Sequence, residues 1–351
     1  MKPLHTALAV ALFGTCTAVP TVHAQPTYRL ESAVALPSAA PDWDYVTLDA
    51  AHDRLFIGRR AEGAVVYDIK SQRVLRTLDK SESASGVILV PEFDRGYTAN
   101  EDGTTTVFEI STLKTLDRAK FGEDSDYGFY DPVTKQIAFT MGDSHAIAFV
   151  DARDGRVSGK LNIDSRKLDG SAPDGAGHLF MALRDRNALL KIDMATRTVA
   201  ARWPTTGCEQ PTGVAYDSAN QRIFVGCRGA KPVLAVLDSA GGKVVTTMEI
   251  GRGTDGVVYD AAARRIYTSN GVDANLVIYE QIDADHYKLD QAVTTRPYAR
   301  TMAYDTASRK IYMITAEGLA DPAKKINKAV APFYPNRYYA DSFTVLTYAP
   351  R

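Results

Sequence analysis

Acidic side chains recur at one position in similar segments of the chain, five residues before a recurring Asp or its equivalent. Carboxylate and hydroxyl oxygens are the ligands that hard cations such as calcium prefer. Crowded carboxylates also shift one another's pKa. The pattern therefore predicts a polar, net-acidic site for a metal ion, an amine or another cation. Along the chain, the position is occupied by Asp44, Ser85, Asp126, Asp169, Thr212, Asp255 and Arg300.

The same residues also suit a structural role at the start of a strand. Asp169 and Asp255 each precede a glycine, as in turns where the carboxylate binds nearby backbone N–H groups. Tyr45 and Tyr127 each follow an aspartate, where a ring can pack in the core or stack on a ligand. Arg300 suits a counter-ion for its acidic neighbours. The sequence leaves the binding and the structural interpretation open.

Known enzyme motifs are otherwise missing from the sequence. It contains no Cys-x-x-Cys-His haem motif, no Gly-x-Ser-x-Gly motif and no phosphate-binding glycine loop. Lys and Arg number 41 against 42 Asp and Glu, and this balance argues against nucleic-acid binding through bulk charge. No spacing among the histidines after the N-terminal segment predicts a zinc site. These histidines are His52, His145, His178 and His286.

The recurring acidic position belongs to a repeat that occurs seven times. The clearest copies are GVAYDSANQRIFVGC (213–227), GVVYDAAARRIYTSN (256–270) and TMAYDTASRKIYMIT (301–315). A strand ends in Tyr-Asp, a tight turn follows, and a basic residue precedes an alternating apolar strand. The second apolar residue after the turn serves as a marker that recurs every 41 to 45 residues. The markers are Phe56, Tyr97, Ala138, Phe180, Phe224, Tyr267 and Tyr312.

Each repeat has room for four short strands. AVVYDI (64–69) and AIAFVD (146–151) suit a third strand, and RVLRTL (73–78) and KVVTTMEI (243–250) suit a fourth. Four alternating strands separated by turn residues are typical of one β-propeller blade, whereas the coils of a β-solenoid are shorter. The sequence therefore predicts an all-β, seven-bladed β-propeller of four-stranded blades.

The two ends of the chain predict how the ring closes. The seventh repeat ends with a third strand, SFTVLTY (342–348), and YRLESAVAL (28–36) can supply its outer strand. Pairing the ends in one blade removes exposed strand edges. We therefore expect residues 25–351 to form one propeller domain. The recurring acidic position then lies at the channel mouth, on the face where the innermost strands begin.

An insertion at 317–340 separates the second and third strands of the seventh repeat. It falls on the same face as the channel mouth, which predicts a lid or a docking surface there. Its cations and aromatic rings also suit a single strand of nucleic acid, and the alternative is a loop folded onto its own blade. The residues concerned are Lys324, Lys325, Lys328, Phe333, Tyr334, Arg337, Tyr338 and Tyr339.

The first 24 residues have the layout of a secretory signal peptide. Lys2 precedes an apolar run at 7–19, and small residues lead up to Ala24. The run is too short for a permanent membrane anchor, so we expect cleavage after Ala24 and export to the periplasm or the medium. Lipidation at Cys16 is disfavoured because FGTC is a poor lipidation motif. No later segment is long and apolar enough to span a membrane.

Cys208 and Cys227 are the two cysteines that remain after cleavage. An even pair in an oxidising compartment predicts a disulfide. Cys208 precedes the first strand of the fifth repeat, and Cys227 ends its second strand. A bond between them would fasten a loop near the channel mouth.

The repeat resembles that of the YncE-like, YVTN-repeat family of bacterial secreted propellers. CEQPTGVAYDSANQRIFVGCRG (208–229), IGRGTDGVVYD (250–260) and SNGVDANLVIYE (269–280) carry the resemblance, which covers essentially the whole chain after the leader. It implies a secreted seven-bladed propeller and no particular catalytic residues. The aromatic segment 319–339 departs from the Pro-rich insertion of many relatives.

Together these features favour a periplasmic or secreted propeller that binds a small molecule or a protein. We expect it to be a monomer with no cofactor and no chemistry of its own. One alternative is a metal-dependent, lactonase-like hydrolase or lyase, whose aspartates hold a divalent ion such as calcium as a Lewis acid. Another is binding of single-stranded nucleic acid through the insertion.

Overall fold

The computed structural model describes residues 27–323 and 335–351, which form a ring of seven four-stranded antiparallel sheets. The predicted all-β, seven-bladed propeller is therefore confirmed. Neighbouring blades contact each other mainly through their first strands, which surround the channel. The predicted leader lies outside the described residues. So do five residues of the insertion, Lys324, Lys325, Lys328, Phe333 and Tyr334.

Blades 1 to 3 follow strand β1 (Tyr28–Ala35) in the chain. Blade 1 contains β2 (Val46–Asp49), β3 (Arg54–Gly58), β4 (Ala64–Asp68) and β5 (Arg73–Thr77). Blade 2 contains β6 (Ala84–Val90), β7 (Arg95–Asn100), β8 (Thr104–Glu109) and β9 (Thr115–Lys120). Blade 3 contains β10 (Ser125–Asp131), β11 (Gln136–Met141), β12 (Ala146–Asp151) and β13 (Val157–Asn162).

Blades 4 to 6 repeat this order. Blade 4 contains β14 (Leu168–Pro173), β15 (His178–Leu183), β16 (Ala188–Asp193) and β17 (Thr198–Pro204). Blade 5 contains β18 (Pro211–Asp217), β19 (Arg222–Cys227), β20 (Val233–Asp238) and β21 (Val244–Glu249). Blade 6 contains β22 (Thr254–Asp260), β23 (Arg265–Asn270), β24 (Asn275–Gln281) and β25 (Tyr287–Thr294).

Blade 7 joins the two ends of the chain. It contains β26 (Met302–Tyr304), β27 (Ile311–Thr315) and β30 (Thr344–Pro350), with β1 as its outer strand. Strand β1 pairs antiparallel with β30, as the sequence predicts. Between β27 and β30, β28 (Gly318–Leu319) pairs with β29 (Arg337–Tyr338). In the described ranges, helix is limited to three short 3-10 turns, Ala50–His52, Pro91–Phe93 and Arg184–Arg186.

The core lies between the blades and is built from the second and third strands. All seven predicted markers lie on second strands and are at most 4% exposed. Outer strands such as β5 and β13 are mostly exposed or half-buried along their length. Apolar side chains on the inner strands are thus removed from water on both faces, and this burial is the main favourable term in folding.

A left-handed residue precedes the second strand of every blade. Its φ lies between 51° and 95°, a conformation that closes tight hairpin turns. In several blades an Asp at the end of the first strand accepts a turn N–H, as Asp260 does from Ala263 at 3.0 Å. These contacts explain why Asp, a turn and a basic residue recur together. The left-handed residues are Asp53, Asp94, Lys135, Gly177, Gln221, Arg264 and Arg309.

Tyrosines of the repeat connect one blade to the previous one. The Tyr304 hydroxyl of blade 7 donates to Asp260 Oδ2 of blade 6 at 2.5 Å. The Tyr28 hydroxyl on β1 lies 3.1 Å from the Tyr267 hydroxyl of blade 6 and donates to the Arg309 carbonyl at 3.0 Å. These buried bonds fasten the closing strand to both blades 6 and 7.

Candidate functional site

A polar cavity of about 410 Å³ opens at the end of the channel where the first strands begin. We call it the mouth cavity. Five of the seven predicted positions line it, together with Tyr45, so the structure brings these distant residues together. They are Asp44, Asp126, Asp169, Asp255 and Arg300.

The two hydroxyl residues of the predicted ring have a different environment. Thr212 is fully buried, and its hydroxyl lies within hydrogen-bonding distance of the Gly226 carbonyl at 3.2 Å and the Thr254 carbonyl at 3.1 Å. Ser85 is also fully buried. Neither residue lines the mouth cavity. This placement favours the structural interpretation at these two positions, because their side chains pack inside the wall.

The rings of Tyr45 and Tyr127 contact each other, with their centroids 4.5 Å apart and their planes inclined by 46°. Tyr45 faces the mouth cavity, whereas Tyr127 lines a separate, more apolar cavity toward the other end of the first strands. The Tyr127 hydroxyl lies 3.2 Å from Thr47 Oγ1. Gly86 makes room for this ring, because a Cβ there would overlap its edge. Of the two rings, only that of Tyr45 lines the mouth cavity, where it forms the floor.

A second set of lining residues, which we call the second ring, lies four positions after the marker in most of the blades. In blades 1 to 5 this position lines the mouth cavity. The sequence analysis missed this ring, although its constant offset from the marker was a signal that could have revealed it. Its members are Arg60, Glu101, Gly142, Arg184 and Arg228.

The arginines of the second ring change the charge of the mouth. Seven acidic and six basic residues line the mouth cavity, so its acidic side chains are largely balanced by basic ones. Its walls are nearly neutral because arginines that follow second strands meet aspartates that precede first strands. The basic residues are Arg60, Arg166, Lys167, Arg184, Arg228 and Arg300.

One half of the mouth cavity is a continuous chain of ion pairs through blades 5, 6, 7 and 1. Arg60 Nη2 lies 2.5 Å from Asp44 Oδ2, and Arg300 Nη2 lies 3.2 Å from Asp44 Oδ1. Arg300 Nε is 3.0 Å from Asp255, which also pairs with Arg228. Both aspartate side chains are only 8% exposed. This half is therefore charge-compensated within the protein.

The other half, at blades 3 and 4, contains an acid without a partner. Within the described part of the chain, the Asp126 carboxyl makes no hydrogen bond or ion pair. Burial raises the pKa of Asp126 to about 8, and the carboxylates of Asp44 and Asp169 raise it further than Arg60 and Arg184 lower it. The neutral form of the Asp126 carboxyl is therefore favoured over a wider pH range than that of an exposed aspartate.

Tyr45 and Asp169 share this environment. Burial raises the pKa of Tyr45 well above its ordinary value, and the nearby aspartates, Asp126 foremost, add to the shift. The Tyr45 hydroxyl therefore stays protonated and able to donate. Asp169 pairs with Arg184 at 2.8 Å, yet burial still raises its pKa.

Two more charged side chains of this half have no partner of their own among the described residues. Asp124, just before β10, and Lys167, just before β14, both line the mouth cavity. Burial raises the pKa of Asp124, while the Lys167 ammonium opposes this shift. The structure shows no hydrogen bond or ion pair from either charged group within the described ranges. Blade 3 thus presents two acids, and blade 4 presents a free lysine.

The described part of the insertion reaches the mouth cavity through Tyr338. Its ring lies 5.0 Å from the ring of Trp43, which is fully buried. Arg337 is mostly exposed and lies 3.8 Å from Asp321. Tyr339 is also exposed. Of the insertion residues predicted from the sequence and described here, only Tyr338 lines the mouth cavity.

Cys208 and Cys227 form the predicted disulfide, with their Cα atoms 5.4 Å apart. Both cysteines are buried. The next residue, Arg228, lines the mouth cavity, and its backbone N–H donates to the Gln210 carbonyl at 3.1 Å. The bond therefore fastens the loop that carries one arginine of the ion-pair chain. A disulfide is compatible with a secreted protein.

Metal ligation and membrane crossing can be examined only in the described ranges. There, no three side chains of His, Cys, Asp or Glu come together as a set that could hold a metal ion. None of the helices in the same ranges has the length and apolar character needed to cross a membrane.

Comparisons with known proteins identify the fold. No protein-family model and no curated protein matches the chain, so the resemblance to the YncE-like family is not confirmed. A chain in the crystal structure of the mitotic checkpoint complex is similar, with a TM-score of 0.70 and 14% identity over 88% of this chain and 96% of that one. Hydrazine synthase of Kuenenia stuttgartiensis has a TM-score of 0.67 and 14% identity, over 80% and 94%. At this identity the likeness extends to the propeller fold alone.

Proposed function

We propose that this protein is an exported propeller that binds a small polar molecule in the mouth cavity and has no chemistry of its own. The observation that carries the proposal is the Asp126 carboxyl, which lines the cavity without a partner. An unpaired polar group in a desolvated site costs free energy, so a ligand that supplies the missing contact gains affinity there.

The division of the cavity into two halves supports the same function. The ion-pair chain around Asp44 and Asp255 holds one wall in place, and the opposite wall offers charged groups that are free to contact a ligand. Small-molecule sites are usually preformed and have volumes of roughly 300–1,000 Å³. The volume of about 410 Å³ suits a compact molecule.

Export completes the proposal. The predicted leader at 1–24, the buried disulfide and the resemblance to secreted YVTN-repeat propellers all favour a periplasmic or secreted location. A binding protein in that compartment meets nutrients, signalling molecules and cell-wall fragments directly.

The test is a binding screen by chemical class on the purified chain from residue 25. The probes are amino acids, amines, carboxylates, neutral sugars and calcium chloride. Binding of each probe is measured first by its effect on thermal unfolding of the protein and then by calorimetry. We expect at least one class to give saturable stabilisation that weakens in Asp126→Asn. The matched control is Asp117→Asn, on the outer strand β9, which should bind as the wild type does. Saturable binding that is identical in both variants would contradict the proposal.

A metal-dependent site is the second candidate, and Asp124 with Asp126 is the observation that favours it. Two unpaired carboxyl groups that line the same cavity can contribute oxygen ligands to a hard cation. The calcium arm of the screen tests this candidate. A stoichiometric divalent ion in the purified protein, lost in the Asp124→Asn, Asp126→Asn double variant, would support it over the metal-free proposal.

A further inference from the structure

We propose that the ligand of the mouth cavity is a small zwitterion, with its ammonium group against blade 3 and its carboxylate group against blade 4. This inference rests on the proposed function, because it assigns a chemical class to the ligand of the same site. It comes from the separation of unpaired charges between two neighbouring blades.

Blade 3 supplies the acidic side. Asp124 and Asp126 stand two residues apart at the start of β10 and both line the cavity. Asp44, Asp169 and Asp255 have arginine partners, whereas these two acids have none within the described residues. A ligand ammonium group carries three N–H donors, so it can donate to a carboxyl group of blade 3 and keep donors for further contacts.

Blade 4 supplies the basic side. Lys167 precedes β14, and Arg184 follows β15. Both line the cavity, and the Lys167 ammonium forms no ion pair inside the described ranges. Arg184 pairs with Asp169 through Nη1. A guanidinium group has five N–H donors, so Arg184 retains donors for a carboxylate of the ligand.

The charge balance of the cavity favours a zwitterion over a simple cation or anion. A lone cation would satisfy Asp126 and leave Lys167 without a partner in the same cavity. A lone anion would pair with Lys167 and leave Asp126 without a partner. A molecule with both charges pairs the two sides together and adds no net charge, which reduces the desolvation cost of binding. The protonated hydroxyl of Tyr45 offers a further donor at the floor.

Binding of an ammonium group should be linked to release of a proton from Asp126. The carboxylates of Asp44 and Asp169 and the guanidinium groups of Arg60 and Arg184 act on this carboxyl, and Tyr45 is close enough to be affected by it. Asp124 and Lys167 line the same cavity. A cation placed beside it favours the ionised form, which lowers its pKa from about 8. Near pH 7 the complex should therefore release up to about one proton. The affinity should rise with pH until the carboxyl is ionised in the free protein.

The experiment uses calorimetry on the chain from residue 25 with glycine, other α-amino acids and ω-amino acids of increasing length. Each amino acid is compared with its N-acetyl and its amide derivative, which lack one charge each. We expect one amino acid to bind at least about tenfold more tightly than both derivatives. Titrations at pH 7 in two buffers of different ionisation enthalpy should show proton release.

Two variants test which blade contacts each end of the ligand. Asp126→Asn should lose proton release and most of the preference over the N-acetyl form. Lys167→Met should lose most of the preference over the amide. Lys120→Met, at the exposed end of β9, is the matched control and should change neither preference. Asp124→Asn provides a second acidic variant if Asp126→Asn unfolds.

The outcomes separate this inference from the proposed function. If a neutral sugar or a plain carboxylate binds and Asp126→Asn weakens it, the binding function stands and the zwitterion is wrong. If an amino acid binds equally well in all variants, its site lies elsewhere and the inference is again wrong. If no probe of any class binds to the wild type, both proposals fail.

Discussion

Arg300 Nη2 lies 3.2 Å from Asp44 Oδ1, which joins the last blade to the first across 256 residues of sequence. The same nitrogen donates to the Trp43 carbonyl at 3.1 Å, and Nε donates to Asp255 of blade 6 at 3.0 Å. Arg300 is thus a counter-ion for two aspartates, as the sequence suggested. The ring is closed at its mouth by this side chain and at its outer edge by β1.

Replacing this arginine should destabilise the fold. Arg300→Met leaves Asp44 and Asp255 buried with fewer positive partners, and we expect a loss of about 2–4 kcal/mol in the free energy of unfolding. Arg300→Lys should recover only part of the lost stability, because an ammonium group lacks the planar fork with which the guanidinium group contacts both acids. Urea unfolding of the two variants measures both losses of stability. Arg156→Met, at a side chain that is 86% exposed, is the control, and an equal loss there would contradict the expectation.

Asp126 should make stability depend on pH. Its pKa is raised from 3.8 to about 8, so the folded protein binds more protons than the unfolded chain between these values. Stability therefore falls as pH rises through this window. Asp126→Asn should exceed the wild type in stability at pH 9 by roughly several kcal/mol, since one pKa unit is about 1.4 kcal/mol. The difference should shrink toward pH 4, whereas Asp117→Asn should show no such trend. A difference that is constant with pH would count against the raised pKa.

The disulfide should stabilise the folded protein, including the loop that carries Arg228 at the mouth cavity. Cys208 and Cys227 are 19 residues apart, and a loop of this size corresponds to about 3 kcal/mol in the chain-entropy model. We expect the Cys208→Ala, Cys227→Ala double variant to lose about that much in urea unfolding. Addition of a reducing agent should destabilise the wild type and leave the double variant unchanged. Sensitivity of the double variant to the reductant would show that another effect is being measured.

The hydrogen bond between Tyr304 and Asp260, which joins two blades, should contribute more to stability than the hydroxyl of a surface tyrosine does. Tyr304→Phe removes the donor to Asp260, whose residue is 3% exposed, and leaves that carboxylate short of a partner. We expect a loss of about 1–3 kcal/mol in thermal or urea unfolding. Tyr339→Phe, at a residue that is 48% exposed, should change stability by less than about 0.5 kcal/mol. Similar losses in both variants would rule out a special role for the bond.

The sequence by itself determined the architecture. Strand alternation, turn residues and their spacing are local properties, so the seven markers, the four strands per blade and the closing strand at 28–36 could be read directly. The disulfide also followed, because only two cysteines were available after the predicted leader. The ring position of Asp44, Asp126, Asp169 and Asp255 followed from their common offset within the repeat.

Only the tertiary structure decided which charges meet. Arg60, Arg184 and Arg228 reach the mouth because the end of a second strand lies beside the start of a first strand, a contact between residues far apart in the chain. Aspartates at the same position of the repeat then have different environments. Asp44 has two arginine partners. Asp126 has none among the described residues, and its pKa is raised to about 8. Desolvation and partner geometry depend on the assembled ring, so two aspartates at the same position of the repeat have different partners.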